Sequence, residues 1–295
     1  MKFLVTGSSG LVGRHVAKDL VNLGDTVYSA FHTSKPEHGI PTHMDLCSEE
    51  KIKKIVEEVN PDAIIHLAAI TDVDLCEKEK DLAMKINGHA TKIISEQAAR
   101  QQAFFVYVST DYVFDGKTGM KKESDQTNPI NYYGKSKLEG EKSVMNLASS
   151  WCIARTSTPY GLHPTKKSFP IWVANNLKDN NEIKVLVDQF TSPTYAPNLS
   201  RMLIEIAKRQ ITGIIHLAGV TRISRYDMAE LVADKLNLDK KLLKPTNIDD
   251  MKWIAKRPKD SSLDVSHVNS ILKEKSFIIE QGLDNLVKEL RLKFY

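Results

Sequence analysis

Lys2-Phe3-Leu4-Val5-Thr6-Gly7-Ser8-Ser9-Gly10-Leu11-Val12-Gly13 opens the chain and decides its fold. Residues 2–6 read as a buried strand. Three glycines follow within seven positions, and residues 11–23 then place Leu11, Val12, Val16, Leu20 and Leu23 along one helical side. Strand, glycine turn and amphipathic helix in that order begin a βαβ unit. The glycines let backbone N–H groups approach a pyrophosphate, and the helix N-terminus adds a dipole favourable to that anion.

Outward from this stretch the alternation continues. Strands are expected at 26–31, 63–68, 104–109 and 151–155, with a short segment at 42–44. Helices are expected at 48–59, with Ser48 as N-cap, and at 81–101 and 132–147. Strands alternating with helices of this length predict an α/β fold, a Rossmann-type doubly wound parallel sheet covered on both faces. After Arg155 prolines 159, 164 and 170 interrupt the rhythm. A strand-helix-strand passage at 183–187, 199–208 and 213–217 reads as a return to the sheet. Helices at 226–236 and 281–292 flank a polar stretch that contains Pro245 and Pro258. The expected division is a dinucleotide-binding domain of residues 1–155 plus 183–218 and a smaller C-terminal substrate-binding lobe of 156–182 plus 219–295.

The 295 residues suffice for one large core or two unequal lobes. A net charge of +4, spread without a basic block, is too diffuse to argue for nucleic acid or a membrane surface, and it suits a small anionic substrate. Cys47, Cys76 and Cys152 match neither a metal clip nor a disulfide framework, so free thiols and no metal are expected. No signal peptide fits before Gly7, and no apolar run approaches the roughly 20 residues that span a bilayer. A cytoplasmic location is the simplest expectation. The oligomeric state is not legible, and a homodimer stays open.

The end of the second strand bears on the cofactor. A site for NAD usually places an acid there to hold the ribose 2′-hydroxyl. Here His32, Thr33, Ser34 and Lys35 follow Phe31, with no acid before Glu37. This favours NADP(H), with Thr33, Ser34 and Lys35 facing the 2′-phosphate, although Lys35 also reads as a solvated loop lysine. Asp45, with Leu46 beside it, is placed to reach the adenine. Leu67, Ala68 and Ala69 end another strand with small residues that leave room for the cofactor across the sheet edge. Gly7, Ser9, Gly10, Leu11, Val12 and Gly13 complete the expected cofactor set.

Tyr133 and Lys137 lie four residues apart on an expected helix and share a face. An ammonium beside a phenol stabilises the phenolate and lowers its pKa by about 1–3 units. Such a tyrosine can protonate a carbonyl oxygen as hydride reaches the carbon, while the lysine also holds the nicotinamide ribose. Ser109 and Thr110 end a strand at the edge where open α/β sheets bind ligands. Thr110 could hydrogen-bond the same oxygen; turn capping is the plain alternative.

Together these features resemble the extended short-chain dehydrogenase/reductase family. Longer strings are similar to its dTDP-4-dehydrorhamnose reductase branch: Ser109-Thr110-Asp111-Tyr112-Val113-Phe114-Asp115-Gly116, Tyr133-Gly134-Lys135-Ser136-Lys137-Leu138-Glu139-Gly140-Glu141, Asp188-Gln189-Phe190-Thr191-Ser192-Pro193-Thr194-Tyr195, and Arg257-Pro258 with Ser261-Ser262-Leu263-Asp264. The resemblance implies a catalytic trio of Thr110, Tyr133 and Lys137. It also implies substrate contacts at Asp111, Val113, Phe114, Gln189, Thr194 and Arg257. A planar guanidinium matches phosphate oxygens bidentately, which gives Arg257 a separate rationale.

The same family holds dehydratases and epimerases of nucleotide sugars. Dehydratases carry Asp-Glu after the threonine, whereas Thr110 here precedes Asp111 and Tyr112. Epimerase-reductases making GDP-fucose need a cysteine and a histidine near the sugar, and no cysteine of this chain occupies that strand end. The regulatory subunit of methionine adenosyltransferase also resembles these reductases and acts by binding a partner enzyme. The intact Thr110, Tyr133 and Lys137 favour an active enzyme.

Overall fold

The computed structural model describes residues 1–293, and positions 294 and 295 at the end of the expected lobe lie outside the described residues. Seven strands form one sheet: β1 Lys2–Thr6, β2 Thr26–Phe31, β3 Ile40–His43, β4 Ala63–His66, β5 Phe104–Thr110, β6 Trp151–Thr156 and β7 Gly213–His216. Every neighbouring pair is parallel, in the spatial order β7-β6-β5-β4-β1-β2-β3. The chain winds from β1 out to β3, then crosses back to β4 on the other side of β1. That reversal opens a crevice at the carboxyl ends of β1 and β4, where ligands of such sheets bind.

Side-chain alternation explains the two covered faces. Phe3 and Val5 of β1 and Val106 of β5 pack with Val16 and Leu20 of helix α1 (Gly13–Asn22) and with Leu199 and Leu203 from further along the chain. Leu4, Ile64 and Phe105 point the other way. They meet Ile52 and Val56 of α2 (Glu49–Val59), Ile94 of α3 (Ala90–Arg100) and Val144 of α4 (Tyr132–Leu147). Each such fully buried side chain contributes about 1.5–3 kcal/mol. Ser48 caps α2, accepting from Lys51 N at 3.3 Å.

Three further long helices follow in the second half of the chain. They are α5 (Phe169–Lys178), α6 (Ala196–Arg209), which packs beside α1, and α7 (Arg225–Leu236). A last helix, α8, spans Ile279–Lys293. A third apolar cluster joins Val173 of α5, Met228 and Val232 of α7, and Leu283 and Leu286 of α8. No helix among the described residues is long and apolar enough to cross a membrane.

Two expectations need correction. The strand expected at 183–187 does not return to the main sheet. Ile183–Leu186 pairs in parallel with Leu243–Thr246, and Ile183 and Val185 are buried in the third cluster. A short apolar run signals a strand but not which sheet it joins; only β7 goes back. The helix expected at 81–101 is not regular either. Lys80–Ala83 is α-helical, Met84–His89 widens into a π-turn, and α3 then continues. Asn87 lies in the widened turn. Its side chain accepts from Ile70 N at 2.8 Å and donates to Ile70 O and Ser136 Oγ, both at 3.0 Å. The π-turn therefore ties the loop after β4 to α4.

Candidate active site

The glycine turn packs tightly on the neighbouring strand end. Gly7 has φ +65°, and a Cβ there would lie 2.9 Å from Ala68 N. A Cβ on Gly13 would lie 2.2 Å from Gly7 O. Any side chain at either position would push the helix away from the strand ends. Thr6 Oγ1 accepts from Leu67 N and Ala68 N, both at 3.1 Å, and so fastens the ends of β1 and β4 together. With both bonds accepted, its own proton points to His66 Nδ1, 2.6 Å away. His66 is therefore protonated on Nε2, which donates to Thr91 Oγ1 at 3.2 Å. Burial holds this imidazole neutral, with its pKa pushed down to about 3.

At the end of β2, His32, Thr33, Ser34 and Lys35 are all exposed. The acid that follows, Glu37, is engaged: Arg14 at the start of α1 donates to Glu37 Oε2 at 2.8 Å and holds its carboxyl below the usual range. Arg14 escaped the sequence reading because it sits beyond the glycines. Asp45 Oδ1 accepts from Cys47 N at 2.9 Å, with Leu46 half-buried beside it. From the other side of the crevice His163 Nε2 reaches Ser9 O at 2.9 Å. Close-packed glycines, half-buried turn residues Ser9 and Gly10, small strand-end residues and an open cationic loop fit a dinucleotide with a 2′-phosphate.

Asn131 caps α4, accepting from Gly134 N at 2.9 Å, and so sets the start of the helix that carries Tyr133 and Lys137. Lys137 is 2% exposed. Its Nζ donates to Val108 O at 2.8 Å and lies 4.1 Å from the centre of the Tyr107 ring. Burial drops its pKa to about 7, against the opposing pull of Glu141 and Cys76. The expected lowering of the Tyr133 pKa is not found. Burial pushes the phenol up, and hydrogen bonding with Thr110 pulls it only partly back. Lys137 turns its ammonium to the Val108 carbonyl, and loss of water outweighs any help it gives. Tyr133 is thus held in its protonated form.

Thr110 Oγ1 donates to Asp111 Oδ1 at 2.9 Å and accepts from Tyr112 N at 3.2 Å. Asp111 is 3% exposed, and its other oxygen accepts from Ser157 Oγ at 2.7 Å; burial raises its pKa. The Tyr112 ring meets Tyr133 edge-on at 5.8 Å. The Cys76 thiol is buried, and the loss of water pushes its pKa up to about 11.

One turn beyond Lys137, Glu141 accepts from Arg155 Nε at 2.9 Å and NH2 at 2.7 Å, with 0% and 3% side-chain exposure for the pair. Ser109 Oγ adds a third bond at 2.5 Å. This buried fork clamps α4 to β5 and β6. Glu141 was quoted within a motif, but nothing in the sequence paired it with Arg155.

The expected substrate contacts divide. Gln189 is buried, and its Oε1 accepts from Arg225 Nε at 3.3 Å. Arg257 is ion-paired with Asp74 at 3.1 Å, donates to Ala255 O at 2.9 Å, and lies 5.0 Å from the Trp253 ring centre. The side chains of Val113, Phe114 and Thr194 are fully buried. Val113 and Phe114 belong to the apolar core beneath α6, and the Thr194 hydroxyl donates to Ser157 O at 2.6 Å. An apolar string at a strand end looks the same in sequence whether its side chains face a ligand or the core.

The model of the RmlD substrate binding domain matches residues 1–292. A probable low-salt glycan biosynthesis reductase of Haloferax volcanii is 32% identical, over 92% of each chain. A dTDP-4-dehydrorhamnose reductase of Aggregatibacter actinomycetemcomitans is 33% identical, over 90% of this chain and 92% of its own. The methionine adenosyltransferase 2 subunit beta of Mus musculus is 29% identical, over 92% of this chain and 82% of its own. Among solved structures, a dTDP-4-dehydrorhamnose reductase of Bacillus anthracis in complex with NADP superposes with a TM-score of 0.88 at 30% identity, covering 98% of this chain and all of that one.

Proposed function

Since this chain belongs to the RmlD substrate-binding family and is an oxidoreductase of the dTDP-4-dehydrorhamnose reductase type, we propose that it reduces the 4-keto group of a nucleotide-linked deoxysugar with NADPH. The first candidate reaction is dTDP-4-dehydrorhamnose to dTDP-L-rhamnose, in the cytoplasm. One observation carries the proposal: Tyr133, on the helix that carries Lys137 and with its ring 5.8 Å from that of Tyr112, and Thr110, at the end of β5, lie on the crevice edge that also carries the glycine turn.

When bound, NADPH supplies a hydride to the carbonyl carbon. The chain supplies the rest. The N–H groups after Gly7 and the start of α1 balance the pyrophosphate charge, and Thr33, Ser34 and Lys35 receive the 2′-phosphate. Thr110 orients the carbonyl oxygen. Tyr133 gives that oxygen its proton, leaving a phenolate and a hydroxyl on the sugar. Lys137, with a pKa of about 7, swings from the Val108 carbonyl to the phenolate and returns its proton from solvent. Asp111, Gln189 and Arg257 border the place where the sugar nucleotide enters.

The test is purified protein with NADPH and dTDP-4-keto-6-deoxy sugar, followed by loss of reduced nicotinamide. Turnover supports the reductase. The absence of turnover with dTDP-, UDP- and GDP-linked keto-sugars alike, together with tight binding to a methionine adenosyltransferase, would replace it with the regulatory reading that the 29% identical subunit suggests.

A further inference from the structure

Two arginines flank Tyr112, and they are not equivalent. Charge from both Arg225 and Arg257 reaches the Tyr112 phenol. Arg257 is neutralised by Asp74 at 3.1 Å. Arg225 has no carboxylate within ion-pair distance among the described residues. Its side-chain contacts are with neutral groups: Nε donates to Gln189 Oε1 and NH2 to Thr158 Oγ1, both at a long 3.3 Å, and the guanidinium carbon lies 5.0 Å from the Phe169 ring centre. Burial pulls its pKa down, and the nearby Tyr112 and Asp111 pull the other way. Arg225 is half-buried, so its cation is partly screened from water yet still open to an anion that would complete it.

Its position adds to this. Arg225 opens α7, and both its backbone N, bonded to Gln189 O at 3.0 Å, and its Nε, bonded to Gln189 Oε1, meet Gln189. Thr158 directly follows Ser157, whose hydroxyl binds Asp111 beside Thr110. Arg225 is thus linked to Thr110 through Thr158, Ser157 and Asp111. Thr158 has φ +43°, a left-handed conformation uncommon for a β-branched residue and one that often marks a ligand site.

We propose that Arg225, with Thr158 and Gln189 as neutral partners, is the principal contact for the diphosphate of the sugar nucleotide, and that Arg257 is the lesser one. The proposal rests on the reductase assignment above. A planar guanidinium binds two phosphate oxygens in parallel, which lysine cannot reproduce. Bound there, the diphosphate fixes the sugar relative to Thr110 and Tyr133.

The experiment measures calorimetric binding of dTDP and UDP, with thymidine and uridine as uncharged controls, to the parent, Arg225→Gln, Arg225→Lys and Arg257→Gln. NADPH affinity reports that each variant is folded. The parent should bind the diphosphates far more tightly than the nucleosides. Arg225→Gln should lose about tenfold or more in diphosphate affinity, the weight of a charge-assisted contact, with nucleoside and NADPH affinity unchanged. Arg225→Lys should recover only part of this, and Arg257→Gln should lose less than Arg225→Gln. Diphosphate affinity within about twofold of the parent in Arg225→Gln, or a larger loss in Arg257→Gln, overturns the proposal. So does a parent that does not distinguish diphosphate from nucleoside. Keto-sugar reduction is measured on the same samples. Turnover with an indifferent Arg225→Gln removes this inference alone, whereas diphosphate binding through Arg225 without turnover removes the reductase assignment alone.

Discussion

Replacing Glu141 by Gln keeps the shape of the side chain and removes its charge. The Arg155 guanidinium, 3% exposed and held by two bonds at 2.9 and 2.7 Å, would then be buried without a counter-charge. Breaking a buried pair from one side costs about 3–5 kcal/mol. Spread over the unfolding entropy of a chain of this size, that lowers Tm by roughly 5–8 °C. A functional signature accompanies the loss. The Glu141 carboxylate raises the Lys137 pKa, which burial has brought to about 7. Removing the charge lets that pKa fall further, so the basic limb of the kcat profile moves to lower pH. The double variant Glu141→Leu with Arg155→Leu leaves no stranded charge and should recover much of the lost stability. The assays are thermal unfolding at pH 7 and kcat against pH for the three proteins. A Tm within about 2 °C of the parent in Glu141→Gln, with an unmoved basic limb, would refute the claim that this pair clamps and tunes the catalytic helix.

Three other outcomes are expected. Lys137 has a folded pKa of about 7 against 10.5 when unfolded, so the unfolded chain binds more protons between those values and stability rises with pH across that window; Lys137→Met should flatten the rise in a series of Tm measurements and abolish turnover. NADPH should outperform NADH in kcat/KM by about tenfold or more, since one or two charge-assisted bonds contribute about 1.5–3 kcal/mol each. Lys35→Ala should narrow that gap, and Glu37→Gln, which releases Arg14, should widen it; equal use of both cofactors by the parent would contradict the placement of the 2′-phosphate. Thr110→Val should lower kcat by about 10²-fold, because it removes the hydroxyl whose one proton turns from Asp111 to the developing oxyanion, with NADPH affinity unchanged, as single-turnover rates and separate titrations would record.

The glycine turn, the alternating elements and the Tyr-Lys spacing were legible because each follows from local chemistry: a steric demand for glycine, a hydrophobic period, a shared helical face. Ser48 and its helix were readable for the same reason. What failed depends on contacts distant in sequence. Nothing around Ile183 says that it pairs with Leu243 rather than with the main sheet. The asparagine at position 87, inside an otherwise helical pattern, was a hint of irregularity, since such side chains compete for backbone bonds. Its link to Ile70 and Ser136 was not foreseeable. Tyr133 and Lys137 lie on one helix, as their spacing predicts, but the sign of the tyrosine shift was misjudged, because spacing is silent on burial. Arg225 carried no motif at all; its meaning lies in the carboxylate it lacks.

The most direct test of the central claim follows hydride and proton in one reaction. Purified protein is mixed with NADPH deuterated at the transferable position and dTDP-4-keto-6-deoxy sugar, and the product is read by mass spectrometry while single-turnover rates are compared for the parent and Tyr133→Phe. One deuterium at sugar carbon 4 is predicted, with the rate of Tyr133→Phe lower by about 10²–10⁴-fold and its NADPH affinity unchanged. An unlabelled product, or a Tyr133→Phe rate within a few-fold of the parent, would contradict the account.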